Sequence, residues 1–192
     1  MAPPWSSSRP DRPAMALTAT IYNLEVQLAD TDRGVYETLS FKVAQQPSES
    51  DEHMMARVLA YCLEHTEGIG FSKGIAEPEE PALFVRDLTG ALRVWIDIGS
   101  PDAARLHKAS KAAPRVVVYT HKDPAQLVRA LDGERIHRGD HLELYALDRA
   151  LIDALVAHRE RRTSFDLTVT ERHLYVSLNG ETLEGEIARI AR

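Results

Sequence analysis

Apolar and polar side chains alternate from Thr18, where Thr18, Thr20, Tyr22, Leu24, Val26 and Leu28 share one face, the period-two signature of a half-buried strand. The polar break DTDRG at 30–34 separates this run from a second over 36–43, which predicts a β-hairpin. Pro47 and Ser48 introduce a helix. Ser48 stands as its N-cap with Asp51 three residues on, the spacing of a capping box, and Met55, Leu59 and Cys62 form its inner stripe. Beyond Gly68 and Gly70, turn signals separate three short strands at 69–75, 83–86 and 92–98. Ser100, Pro101 and Asp102 then supply an N-cap, a first-turn proline and a first-turn acid for a helix that reaches Ala113 and stops at Pro114. RVVVYT at 115–120 reads as a buried strand, 124–131 as a helix, 141–146 as a strand and 148–161 as a helix. Strands at 165–170 and 174–178 face each other across ERH, with 182–187 as the candidate for a third. The middle of the chain thus runs α-β-β-β-α-β within a mixed α/β (α+β) fold, and the flanking hairpins are expected to form a second sheet around it.

Composition narrows the setting. Residues 1–14, MAPPWSSSRPDRPA, lack periodicity and an apolar face, which predicts a disordered extension ahead of a single domain over 15–192. The 23 Lys and Arg against 29 Asp and Glu leave a net charge of -6, so the global field repels a phosphate backbone and a nucleic-acid partner would have to use a local cleft. A protein partner meets no such barrier. Cys62 is the one cysteine, which excludes an internal disulfide framework and suits a reducing compartment. No run approaches the roughly 20 apolar residues of a membrane span and the start lacks the apolar segment of a secretory signal, so a cytoplasmic protein without membrane contact is expected. GIGFSKG at 68–74 has neither the spacing nor the strand-to-helix setting of a nucleotide-binding loop, and no organic cofactor is expected. His137 and His141 in HRGDH stand four apart, but Gly139 argues against a shared helical face for zinc.

Five segments carry a family resemblance: PSESDEHMMARVLAY at 47–61, EEP at 79–81, RDLTG at 86–90, WIDIGSPDAARLHKA at 95–109 and VVVYT at 116–120. Together they resemble the YaeQ family of small bacterial proteins, most specifically through WIDIG-x-PD followed by a basic helix. The resemblance implies a variant of the PD-(D/E)XK nuclease fold with a candidate divalent-metal site, and no particular substrate. Two positions depart from the pattern. Ala82 follows Pro81 where an acid is expected, and Gly99 stands where the nuclease signature has a lysine.

A metal-dependent phosphodiesterase needs carboxylates that hold Mg²⁺ or Mn²⁺ and a cation near the phosphate. Asp97 is the first candidate, because it interrupts an apolar strand where an ionised carboxylate is costly unless paired. Its structural alternative is an ion pair with Arg93, on the same strand face, or with a neighbouring strand. If DLTG turns tightly, the numbers of paired residues sum to about 177 to 179, which sets Asp97 opposite Glu80–Ala82 and makes Glu80 the nearest acid. Asp87 falls roughly 20 Å away at about 3.3 Å per residue and reads as a turn residue. Glu52 lies three and seven residues before Met55 and Leu59, on the apolar stripe, while Glu49 and Asp51 read as first-turn acids favoured by the helix dipole. Along the returning helix, Lys108 and Arg105 both come level with Asp97, and Lys108 is the candidate site lysine. The candidate site is therefore Glu52, Glu80 and Asp97 around a metal with Lys108 as the cation. A non-catalytic binding or protein-interaction module on the same fold is the competing expectation.

Overall fold

The computed structural model describes residues 18–73 and 79–192; the extension expected over 1–14, and the end of the strand expected over 69–75, lie outside them. The opening hairpin is β1 (Thr20–Asp30) and β2 (Val35–Gln45), with Tyr22, Leu24, Val26 and Leu28 buried on one face. Then follow α1 (Asp51–Leu63), β3 (Ile69–Phe71), β4 (Leu83–Arg86), β5 (Leu92–Ile98), α2 (Ala103–Ala112) and β6 (Arg115–Thr120). The remainder is α3 (Pro124–Leu131), β7 (Glu143–Leu147), α4 (Arg149–Ala157), β8 (Arg162–Thr170), β9 (His173–Leu178) and β10 (Glu181–Arg189). The α-β-β-β-α-β order holds from α1 to β6. The register also holds: Leu83 faces Ile96 and Phe84 faces Trp95, so continuing the ladder sets Asp97 opposite Ala82.

The expected second sheet does not form. All ten strands make one mixed, mostly antiparallel sheet in the order β2-β1-β8-β9-β10-β7-β6-β5-β4-β3. β10 is the physical reason. Its residues 181–186 pair with the shorter β9, and its last three, Ile187–Arg189, pair with Leu147, Ala146 and Tyr145 of β7, so one strand joins both halves.

The sheet rolls nearly into a barrel around α1. Its two edge strands approach each other at Phe41 of β2 and Phe71 of β3, whose ring centroids are 5.9 Å apart, and Tyr61 of α1 packs against both. Gln46 Nε2 also donates to the Lys73 carbonyl at 3.3 Å. Met54, Met55, Ala56, Val58, Leu59, Ala60 and Cys62 are all buried, so α1 has no solvated face along this stretch. β6 explains how the two layers share one sheet. Val117 and Tyr119 join the core around α1 and α4, while Val116 and Val118 pack with Leu106 of α2 and Leu127 and Leu131 of α3 outside.

Two caps differ from expectation. Ser50, not Ser48, caps α1 by accepting from the His53 amide at 3.2 Å, because Glu49 is drawn inward instead of joining the first turn. Asp102, not Ser100, caps α2, its carboxylate accepting from the Arg105 amide at 2.8 Å. α4 stops at Ala157 rather than running to 161, since Arg162 already belongs to β8, which pairs with β1.

A helix enclosed in this way cannot leave a charge unanswered. Arg57, 1% exposed, donates through Nε and Nη2 to the two carboxylate oxygens of Glu49, each at 2.7 Å, and through Nη2 to the Ala44 carbonyl. At the other end of α1, Arg33 donates to the Cys62 and His65 carbonyls while Asp30 holds its Nε at 2.7 Å. Removing one member of a buried pair leaves an uncompensated charge, which costs about 3–5 kcal/mol. Glu49→Ala should lose stability of that order in urea unfolding, and Glu49→Gln with Arg57→Met should recover most of it.

Candidate functional site

Strand alternation decides what Asp97 can reach. Ile96 and Ile98 enter the core that holds α1, whereas Trp95 packs in the outer layer beneath α2, and Asp97 faces the same way as Trp95. There Asp97 is 2% exposed and both of its oxygens are taken by Arg105, at 2.7 Å to Nε and 2.7 Å to Nη2. The guanidinium lies 5.5 Å from the Trp95 ring centroid, and its Nη2 also donates to the Glu80 carbonyl at 2.7 Å. Asp97 is thus ion-paired, but not with Arg93. Arg93 lies four residues back along the strand, roughly 13 Å away, and sits exposed, 4.0 Å from the turn residue Asp87.

The other expected site residues are dispersed. Glu80 is exposed and meets Arg105 through its backbone rather than its carboxylate. Lys108 is half-exposed and pairs with Glu79. Glu52 occupies the first turn of α1, on the core side of the sheet and so across it from Asp97. Helices α1 and α2 pack on opposite faces, and a strand residue can present its side chain to only one of them. Among the described residues, no three His, Cys, Asp or Glu side chains come together as a metal-holding group.

The structure gathers a different polar set at the carboxyl ends of β5 and β6. His53 Nδ1 lies 2.7 Å from Glu49 Oε1, on the carboxylate that also grips Arg57. His53 stands edge-on to His121 at 6.0 Å, and its Cδ2 is 4.0 Å from where a Cβ at Gly99 would lie. Burial raises the Glu49 pKa, but the His53 hydrogen bond and the Arg57 charge outweigh it and hold the carboxyl below its usual range. His53 therefore donates Nδ1–H to an ionised partner. His121 is pushed down to about 4, first by burial and then by the electrostatic effect of His53, Lys122 and Arg149, with Glu52 opposing; among the described residues its buried Nδ1 has no hydrogen-bond partner. The signal for the first three residues was in the sequence. Glu49, His53 and Arg57 recur every four residues, and Arg57 interrupts an apolar helix much as Asp97 interrupts an apolar strand.

At the opposite end of α1 the rolled sheet opens into a basin of about 450 Å³. Arg115 at its wall is held by Glu64 at 2.5 Å and by Glu143 at 2.7 Å, and the Tyr119 hydroxyl donates to Glu64 Oε1 at 2.7 Å. Burial, followed by the Glu64 charge, raises the Tyr119 pKa well above its ordinary value, and the hydrogen bond from Arg115 lowers that of Glu143. The Tyr119 and Tyr145 rings stack at 5.4 Å.

A ten-stranded mixed sheet rolled around a buried helix, with its outward strand acid closed by an arginine from the next helix, defines a small α/β protein. Among the described residues, no helix is long and apolar enough to cross a membrane. The chain belongs to the YaeQ family: the family profile described as "YaeQ protein" matches residues 15–187. The chain is 30% identical over 171 residues to the "Uncharacterized protein YaeQ" of Escherichia coli K12, covering 88% of this chain and 94% of that one. The crystal structure of the YaeQ protein from Xanthomonas axonopodis pv. citri superimposes with a TM-score of 0.81 at 31% identity, over 90% of this chain and 98% of that one. That of the Pseudomonas syringae YaeQ protein also scores 0.81, at 26% identity over 91% and 97%.

The low pKa of His121 has a consequence for stability. An unfolded histidine takes its proton near pH 6.5 and the folded one near 4, so the folded state binds fewer protons between those values. Stability from this group is present above pH 6.5 and is lost as pH falls toward 4. His121→Asn should flatten the fall across that window in urea midpoints measured at successive pH values, relative to the unaltered protein.

Proposed function

We propose that this protein is a binding module that keeps the α-β-β-β-α-β order of the PD-(D/E)XK nucleases without operating their metal centre. The observation that carries this reading is the bidentate Arg105–Asp97 pair. A divalent cation at a nuclease centre neutralises carboxylates and accepts several oxygen ligands. Here the guanidinium supplies that neutralisation, Ala82 stands opposite Asp97 where an acid would complete the set, and Gly99 occupies the lysine position. To hold Mg²⁺ or Mn²⁺, Asp97 would have to release Arg105 and leave a guanidinium without its carboxylate, a loss of several kcal/mol for a buried pair. Glu52 would still be across the sheet. The net charge of -6 further favours a protein or small-molecule partner over a nucleic acid.

The competing reading, a metal-dependent phosphodiesterase built on Glu52, Glu80, Asp97 and Lys108, makes the opposite forecast for added metal. Ligand that binds only the folded state raises stability by mass action, about 2.7 kcal/mol at a hundredfold excess over Kd. Millimolar Mn²⁺ should leave the thermal midpoint unchanged, and Arg105→Ala should lower it. A rise with Mn²⁺ that Asp97→Asn removes would restore the phosphodiesterase reading.

A further inference from the structure

The basin at the carboxyl end of α1 has a wall and a charge that nothing so far uses. Val85, Val94, Val169 and Ile187 line it together with the stacked Tyr119 and Tyr145. Every acid that lines it is already engaged. Asp30 holds Arg33, Glu64 holds Arg115 and the Tyr119 hydroxyl, and Asp32 accepts from two backbone amides, those of Glu171 at 2.7 Å and Arg172 at 2.9 Å. Arg33 and Arg115 are engaged by the same contacts. Arg172 differs: it lines the basin, and among the described residues its guanidinium has no ion-pair partner.

The backbone that carries Arg172 is unusual. Glu171 and Arg172, the two residues between β8 and β9, have φ of 50° and 62°. A two-residue hairpin turn of this hand normally uses Asn and Gly, and each bulky side chain forced into the left-handed region is strained. The Asp32 carboxylate offsets that strain by taking both amides of the turn. Its effect is to fix the turn at the rim of the basin with a guanidinium unpaired among the described residues beside an apolar, aromatic wall.

We propose that this basin binds a small amphiphilic anion, an aromatic or short aliphatic carboxylate or sulfonate. Its apolar body lies against the tyrosine and valine wall and its anionic group pairs with Arg172. The cavity of about 450 Å³ suits a ligand of this size, and a guanidinium matches the planar fork of a carboxylate. This inference goes beyond the proposed function and does not depend on how Asp97 is used, because the two sites share no residue.

The test uses 8-anilinonaphthalene-1-sulfonate, an aromatic anion whose fluorescence rises in an apolar site, titrated into the full chain without added metal. Saturable binding to one site is expected, displaced by octanoate and not by octylammonium. Arg172→Gln should weaken binding about tenfold or more with an unchanged melting temperature, and Arg172→Lys should recover part of the loss. Val94→Phe, which fills the basin, should abolish binding while Arg172 remains. Unchanged affinity in Arg172→Gln, or displacement by octylammonium as readily as by octanoate, would overturn the proposal.

Discussion

Enclosing a helix inside a rolled sheet is the constraint from which most of this structure follows. A helix on a protein surface solvates one face and its ends with water. α1 has neither option along most of its length, so its charges and the carbonyls at its end must be answered by protein groups. Glu49 answers Arg57 at one end, and Arg33, itself fixed by Asp30, answers the terminal carbonyls at the other. Both polar assemblies described above, the histidine pair and the tyrosine basin, lie at those two ends. They are where the barrel opens and the chain must change from apolar packing to hydrogen bonding.

Arginine recurs as the means of that change. Arg57, Arg105 and Arg115 each grip a carboxylate with two nitrogens, and Arg115 grips two carboxylates at once. A lysine offers a point charge that can rotate away, whereas the flat guanidinium fixes the direction of its partner as well as its charge. That difference explains why Arg105 and not Lys108 closes over Asp97. Lys108 is on the same helix, but it is half-exposed and meets the surface acid Glu79.

The fold was largely legible in the residue pattern because its elements are local. Alternation located β1, the DLTG turn set a β4–β5 register that placed Asp97 opposite the stretch from Glu80 to Ala82, and the valines of β6 announced a strand buried on both faces. The site was less legible because it depends on which face of a sheet a helix covers, a choice made by tertiary packing. Asp97 is buried, as its pattern required, and Glu52 is partly buried in the first turn of α1, yet they lie on different sides of the same sheet. Glu49 read as a helix-dipole acid since first-turn acids are common there; only the enclosure of Arg57 makes it an interior partner. The continuity of the sheet was hidden for a related reason, as alternation along β10 does not tell which strand each half of it will meet.

That dual pairing of β10 bears on how the protein can be made. β1 must find β8 across 139 residues, from Asn23 to Arg162, and the two halves of the sheet are joined only when Glu181–Arg189 lies between β9 and β7. Until that strand is in place, β7 and β9 are open sheet edges. Such edges invite pairing with other chains. Docking of β10 closes both edges at once, so one strand removes both sites of pairing with other chains.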